Sequence, residues 1–179
     1  MMMMRGTMEV TVVGARNLQN TELFGRVDPY VEIHYKNQEQ KSTTGRSKIS
    51  KSLLRFCVCL KGQGSRKAVW NEKFKFKVEL KKDMSKEEKR KQQHKLILKI
   101  MDQDNFTLDD FLGQATVYVN ELLEIGMEEG KAEMPIQKYR VVSSDKTYRG
   151  EIQVGVTFTM DREGDDQQEL NGRKKLKTS

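Results

Sequence analysis

Apolar and polar residues alternate along most of the chain between residues 7 and 160. "TMEVTVV" (7–13) alternates branched apolar with polar residues, the pattern of a strand with one face buried. "PYVEIHYK" (29–36) repeats it, with Tyr30, Glu32 and His34 on one face and Val31, Ile33 and Tyr35 on the other. The clearest run is "VWNEKFKFKVEL" (69–80), where Phe74, Phe76, Val78 and Leu80 face one way and Lys73, Lys75 and Lys77 the other. Strands are also predicted at "HKLILKIMD" (94–102), "QATVYVN" (114–120), "AEMPIQKYRVV" (132–142) and "RGEIQVGVTFTM" (149–160), with a weaker one at "QKSTTG" (40–45), eight in all. Short alternating strands separated by turns predict an antiparallel β-sandwich, with a barrel as the alternative.

Helical pattern is confined to two places. "NELLEIG" (120–126) reads as one or two turns closed by Gly126, and "KDMSKEEKRKQQ" (82–93) is helix-prone without an apolar stripe, so it reads as a charged, solvated connector. Residues 1–6 form an N-terminal extension, and "DREGDDQQELNGRKKLKTS" (161–179) has the charged, aromatic-free composition of a disordered tail. No window approaches the roughly 18 to 20 apolar residues of a membrane span, and the start lacks the apolar run of a secretory signal. The expected location is the cytoplasm.

With 179 residues, 36% hydrophobic and 33% charged, the chain suits one domain plus irregular segments. Its two cysteines, Cys57 and Cys59 in "FCVCL", have neither a distant thiol partner nor the spacing of a zinc site and read as reduced thiols. The net charge of +7 invites a nucleic-acid reading. Residues 46–67, "RSKISKSLLRFCVCLKGQGSRK", hold seven Lys/Arg and no acid, and with these set aside basic and acidic residues are equal at 26 each. The excess is local, so a nucleic-acid partner is not expected.

Against that background, "IMDQDNFTLDDFLG" (100–113) gathers Asp102, Asp104, Asp109 and Asp110. Like charges at a few ångströms repel by roughly 1 kcal/mol per pair in water and more at a protein surface. A solvated loop with its side chains pointing apart is the simplest reading. Asp102 and Asp104, however, lie two apart at the end of an apolar strand and so project to the same side, and Asp110 returns after a short loop. Convergent hard oxygens are what Ca²⁺ requires. An EF-hand fails, because Thr107 stands where the sharp-turn glycine belongs and Gly113 where the bidentate glutamate belongs. "NFT" (105–107) matches a glycosylation sequon by chance, and Asp109 reads as a solvated neighbour.

"VTVVGARNLQNTELFGRVDPYVEI", "WNEKFKF" and "LKIMDQDNFTLDDFLG", in that order, together resemble a C2 domain spanning residues 7–160. "GEIQVGVTFT" and "DKTY" (145–148) make the chain similar to small single-domain plant elicitor-responsive proteins. The resemblance implies an eight-stranded antiparallel Greek-key β-sandwich, and Ca²⁺ ligands from two loops at one end: Glu22 and Asp28, then Asp102, Asp104 and Asp110. Glu22 departs from the family's usual aspartate. It also implies two Ca²⁺ ions and recruitment of a monomer from cytosol to the anionic phospholipid of the plasma membrane in calcium and defence signalling. The alternative within the family is a Ca²⁺-independent module for a protein partner.

Apolar residues flank the acids: Leu23 and Phe24 on one loop, Phe106 and Leu108 on the other. Phe24, Phe106 and Leu108 are candidates to enter the headgroup layer, although Leu23 and Phe24 could instead cap the core. Lys73, Lys75 and Lys77 match a row that binds lipid headgroups in related domains, or form a plain solvated face. Residues 46–67 fit the pattern least. Their core, near 48–60, reads as an insertion outside the sandwich, with a basic amphipathic membrane contact as the alternative. The chain lacks a P-loop, G-x-G-x-x-G, G-x-S-x-G and H-E-x-x-H, so no enzyme is expected. His34 and His94 read as ordinary surface or edge residues.

Overall fold

The computed structural model describes residues 3–18, 28–45, 66–81, 85–103 and 108–161. The expectations placed on Glu22, Leu23, Phe24, Asp104, Phe106, both cysteines, most of the 46–67 segment and nearly all of the tail fall outside these residues.

The strands are β1 (Met3–Leu18), β2 (Pro29–Tyr35), β3 (Gln38–Lys41), β4 (Arg66–Lys81), β5 (Lys95–Asp102), β6 (Asp110–Tyr118), β7 (Lys131–Val142) and β8 (Tyr148–Met160). Helix α1 (Lys86–Lys91) lies between β4 and β5, and α2 (Asn120–Glu129) between β6 and β7. All strand pairs are antiparallel, in the order β3-β2-β5-β6-β7-β8-β1-β4.

The β6–β7 ladder consists of one pair, Gln114 with Val142, and that gap divides the sheet into two four-stranded layers. At the opposite seam β3 and β4 share no ladder. Gln38 bridges them with its side-chain amide, donating to the Lys77 carbonyl at 2.7 Å and accepting from the Lys77 N–H at 2.9 Å, and the Gln40 amide donates to the Lys75 carbonyl. The β4 edge is thus partly satisfied by side chains of β3, which blunts it as a template for pairing with another chain.

Alternation in the sequence maps directly onto burial. Val10 and Val12 of β1, Ile33 and Tyr35 of β2, Phe76 of β4 and Leu98 of β5 are fully enclosed between the layers, each burial worth about 1.5 to 3 kcal/mol. Lys73, Lys75 and Lys77 point outward.

Three local expectations are corrected. The weak strand at 40–45 is Gln38–Lys41 instead. Helix α2 does not stop at Gly126: it runs to Glu129 and ends at Gly130, whose φ of 82° is the left-handed cap that glycine adopts freely. Gly126 is there because a Cβ at that position would lie 2.3 Å from Phe158 Cδ1. His94 is neither a surface nor an edge residue: it is 6% exposed, and its Nδ1 lies 2.9 Å from Tyr35 Oη. Burial pulls its pKa from 6.5 to about 4, with a smaller push from Lys36.

The connector at 82–93 does contain a helix, and its start is legible in the sequence. Ser85 and Glu88 form a capping box, each side chain bonding the other's backbone N–H.

Candidate functional site

Three strand termini meet at one end of the sandwich. Pro29 opens β2 with a fixed φ and no N–H to leave unpaired. Asp28 immediately precedes it, and Asp102, the last residue of β5, is the cross-strand partner of Pro29 on one side and of Asp110, the first residue of β6, on the other. Ile100 pairs with Gly113 and Met101 with Phe111, so Leu112 is an extra residue on β6. Such a bulge re-aims the residues beyond it, here Asp110 and the loop before it. Asp28, Asp102 and Asp110 are therefore neighbours along the backbone, although their carboxylates do not converge within 4.8 Å of one another. Glu22 and Asp104 lie outside the described residues.

Hydrogen bonds fix part of this end. The Asp28 N–H donates to Asp102 Oδ1 at 2.8 Å, and the Gln103 N–H donates to the Asp28 carbonyl at 3.1 Å. The Pro29 carbonyl accepts from the Gly45 N–H at 2.7 Å and from Trp70 Nε1 at 3.2 Å. Asp109, expected to be merely solvated, accepts a 2.7 Å hydrogen bond from the Tyr30 hydroxyl. Burial, and next the hydrogen bond to Asp109, push the Tyr30 phenol up to about 12. Tyr30 alternates with core residues on β2, and its link to Asp109 spans 79 residues of sequence, which strand pattern alone does not reveal.

The donor set at this end is all oxygen, which suits a hard cation such as Ca²⁺ and disfavours a thiophilic one. Beside it Leu108 is 90% exposed and Phe111 39% exposed, an arrangement that leaves apolar surface in water next to the acids. Phe111 belongs to the same apolar edge, although its place in the sequence does not single it out.

Along β4, the Lys73 ammonium donates to Glu9 Oε1 at 2.8 Å. That hydrogen bond raises the lysine's pKa and lowers the glutamate's. Lys75 and Lys77 are the exposed remainder of the row.

Among the described residues, no helix is long and apolar enough to cross a membrane.

Comparison with known proteins agrees with this architecture. The family model of the C2 domain matches residues 6–136. The chain is 39% identical over 170 residues to elicitor-responsive protein 1 of Oryza sativa subsp. japonica, covering 93% of this chain and 92% of that protein. It is 37% identical over 155 residues to 16 kDa phloem protein 1 of Arabidopsis thaliana, covering 87% and 85%. A solved C2 domain-containing protein from a putative elicitor-responsive gene is similar in structure, with a TM-score of 0.56, 30% identity and coverage of 90% of this chain and 93% of that one.

Proposed function

The chain belongs to the C2 domain family, and from that premise we propose that it is a Ca²⁺-dependent phospholipid-binding module that moves from cytosol to plasma membrane in calcium and defence signalling. The observation that carries this reading is the placement of Asp28, Asp102 and Asp110 at adjacent strand ends. Glu22 and Asp104 complete the ligand set that the family's pattern assigns, enough for two ions. Bound there, Ca²⁺ supplies charge neutralisation and free coordination positions for lipid phosphate. The protein's own residues do the rest. Phe106 and Leu108 from one loop, with Phe24 from the other, supply apolar surface to the headgroup layer, and Lys75 and Lys77, with Lys73, supply attraction to anionic lipid. The working unit in this reading is a monomeric binding protein that catalyses no reaction.

One observation favours the alternative, a Ca²⁺-independent module for a protein partner. Asp102 Oδ1 already accepts the Asp28 N–H, so part of the charge at this end is stabilised by the backbone. Liposome co-sedimentation with Ca²⁺ and with chelator, using the natural chain and the Asp102→Asn, Asp104→Asn double variant, separates the two. The proposal expects binding only for the natural chain with Ca²⁺. Equal binding in all four conditions would overturn the Ca²⁺-dependent reading and bring the alternative forward.

A further inference from the structure

Away from the acidic end, on the outer face of β2 and β3, a second group of metal-binding side chains meets. Glu32 and His34 alternate on β2, and cross-strand pairing sets Lys41 opposite Glu32 and Glu39 opposite His34. One ligand atom from each of Glu32, His34 and Glu39 lies within 4.8 Å of the other two. The oxygens divide the work. Oε1 of Glu32 and Oε1 of Glu39 face the Lys41 ammonium at 2.8 and 3.6 Å, whereas Oε2 of each faces the His34 ring, at 3.5 Å from Nε2 and 3.6 Å from Nδ1.

We propose that Glu32, His34 and Glu39 form a binding site for a first-row divalent ion of the Zn²⁺ class, distinct from the acidic end. Three features carry this. His34 Nε2 is buried and makes no hydrogen bond of good geometry, with the Glu32 carboxylate 3.5 Å away, so it is held out of water beside a carboxylate that it does not fully engage. An imidazole with two carboxylates is a donor set that Zn²⁺ accepts and that Ca²⁺, which takes oxygens, does not prefer. Zn–N and Zn–O bonds of about 2.0 to 2.1 Å place tetrahedral ligand atoms about 3.4 Å apart, close to the 3.5 Å between Glu32 Oε2 and His34 Nε2. Glu39 Oε2 faces Nδ1 rather than Nε2, and Glu39, the most exposed of the three at 46%, has to swing from that nitrogen to the Nε2 side to close the set.

Lys41 takes the outer position. By holding Oε1 of both carboxylates it orients their Oε2 atoms toward the imidazole, as outer-shell partners of metal ligands do. Its hydrogen bond to Glu32 lowers that carboxyl's pKa and so keeps the ligand ionised. Two carboxylates against one ammonium leave the cluster with a net negative charge for the ion to neutralise.

The chain has only two histidines, and the other, His94, is buried against Tyr35, so the imidazole resonances report the site directly. The experiment titrates Zn²⁺ into the full chain carrying Cys57→Ser and Cys59→Ser, in saturating Ca²⁺, and observes both histidines by NMR. The expected result is that His34 shifts or broadens while His94 does not, and that Glu39→Gln weakens the response at least about tenfold. Glu39 is exposed, so this variant leaves the fold intact. An unmoved His34 at up to roughly 1 mM Zn²⁺ would overturn the proposal. So would a shift that Glu39→Gln leaves unchanged, since a lone imidazole would then account for it. Saturating Ca²⁺ occupies the acidic end if that reading holds, and a failure of Ca²⁺ to bind appears separately in the co-sedimentation experiment.

Discussion

At the end where α2 sits, Phe158 lies between Gly6 and Gly126, so tightly that a Cβ on either glycine would come within 2.4 Å of its ring. The Asn120 side chain accepts from the His94 N–H at 3.0 Å and donates to the Gln92 carbonyl at 3.0 Å, while the His94 carbonyl accepts from the Val119 N–H. At the other end, three aspartates stand at neighbouring strand termini and Leu108 is 90% exposed. The same strands run between the two. One end packs an aromatic ring against two glycines and ties its polar groups with hydrogen bonds, whereas the other gathers like charge beside the most exposed of the described large apolar side chains, Leu108. Arrangements of the second kind lower stability and are retained where a ligand relieves them.

The comparison predicts that damage to the two ends separates cleanly. Phe158→Ala should have the largest effect, about 3 to 5 kcal/mol of lost stability from the buried ring and the cavity it leaves, read by denaturant unfolding. Asp102→Asn should cost little or nothing without Ca²⁺ and, on the proposed reading, should abolish a stabilisation of the natural chain by Ca²⁺. A Phe158→Ala chain that is no less stable would break the division.

Next in size is the response to acid. His94 titrates at about 4 when folded against 6.5 when exposed, so between these values the unfolded chain binds more protons. Stability is therefore full above pH 6.5 and falls as the pH drops toward 4, by roughly 3 kcal/mol once His94 is protonated in both states. Unfolding free energies measured across that window should show this loss, and His94→Gln should flatten it. An unchanged slope in His94→Gln would assign the loss to other groups.

How much of this is legible in the sequence depends on the range of the interactions. Strand alternation is local, so the inward set of Phe74, Phe76, Val78 and Leu80 can be read directly, as can the "SKEE" start of α1. The helix stop is misplaced by the sequence because a mid-helix glycine and a capping glycine look alike there. Only the packing of Gly126 on Phe158 of β8 tells them apart. His94 has polar neighbours in sequence, and its burial comes from Tyr35 and α2. The acids at 28, 102 and 110 are visible as candidates because two fall in one short loop and the third in "DPYV". Their placement side by side depends on the β2–β5–β6 register and the bulge at Leu112. The Glu32, His34 and Glu39 group is hidden from the sequence because the pattern starts β3 two residues late, and a slip in register changes every cross-strand partner.

A smaller effect tests whether the acidic end is held by anything beyond its strands. Tyr30→Phe deletes the hydroxyl that bonds Asp109 and leaves the ring in place. Because Asp109 is exposed and can turn to water, the loss of stability should be only about 1 kcal/mol. Ca²⁺-dependent vesicle binding should weaken by about tenfold, the low end of the loss expected when a partner that orients neighbouring ligands is removed. Equal stability loss and unchanged vesicle binding would place Tyr30 with the core and move the boundary between the two ends past β2.

The smallest effect concerns the flank between the ends. β4 starts near Leu18 at the acidic end and finishes opposite Met3 at the other, so Lys75 and Lys77 lie progressively farther from the acids than Lys73. Lys73 is engaged with Glu9, which reduces what it offers a membrane. Lys75→Ala and Lys77→Ala should each lower affinity for vesicles rich in anionic lipid by roughly fivefold near the surface, less as salt is raised. Folding stability should not change, because neither side chain is buried. If only Lys75→Ala has an effect, the bilayer meets the acidic end and stops short of Lys77. If both act equally, the domain lies over on the flank of β4, and the lipid-facing surface extends well beyond the carboxylates.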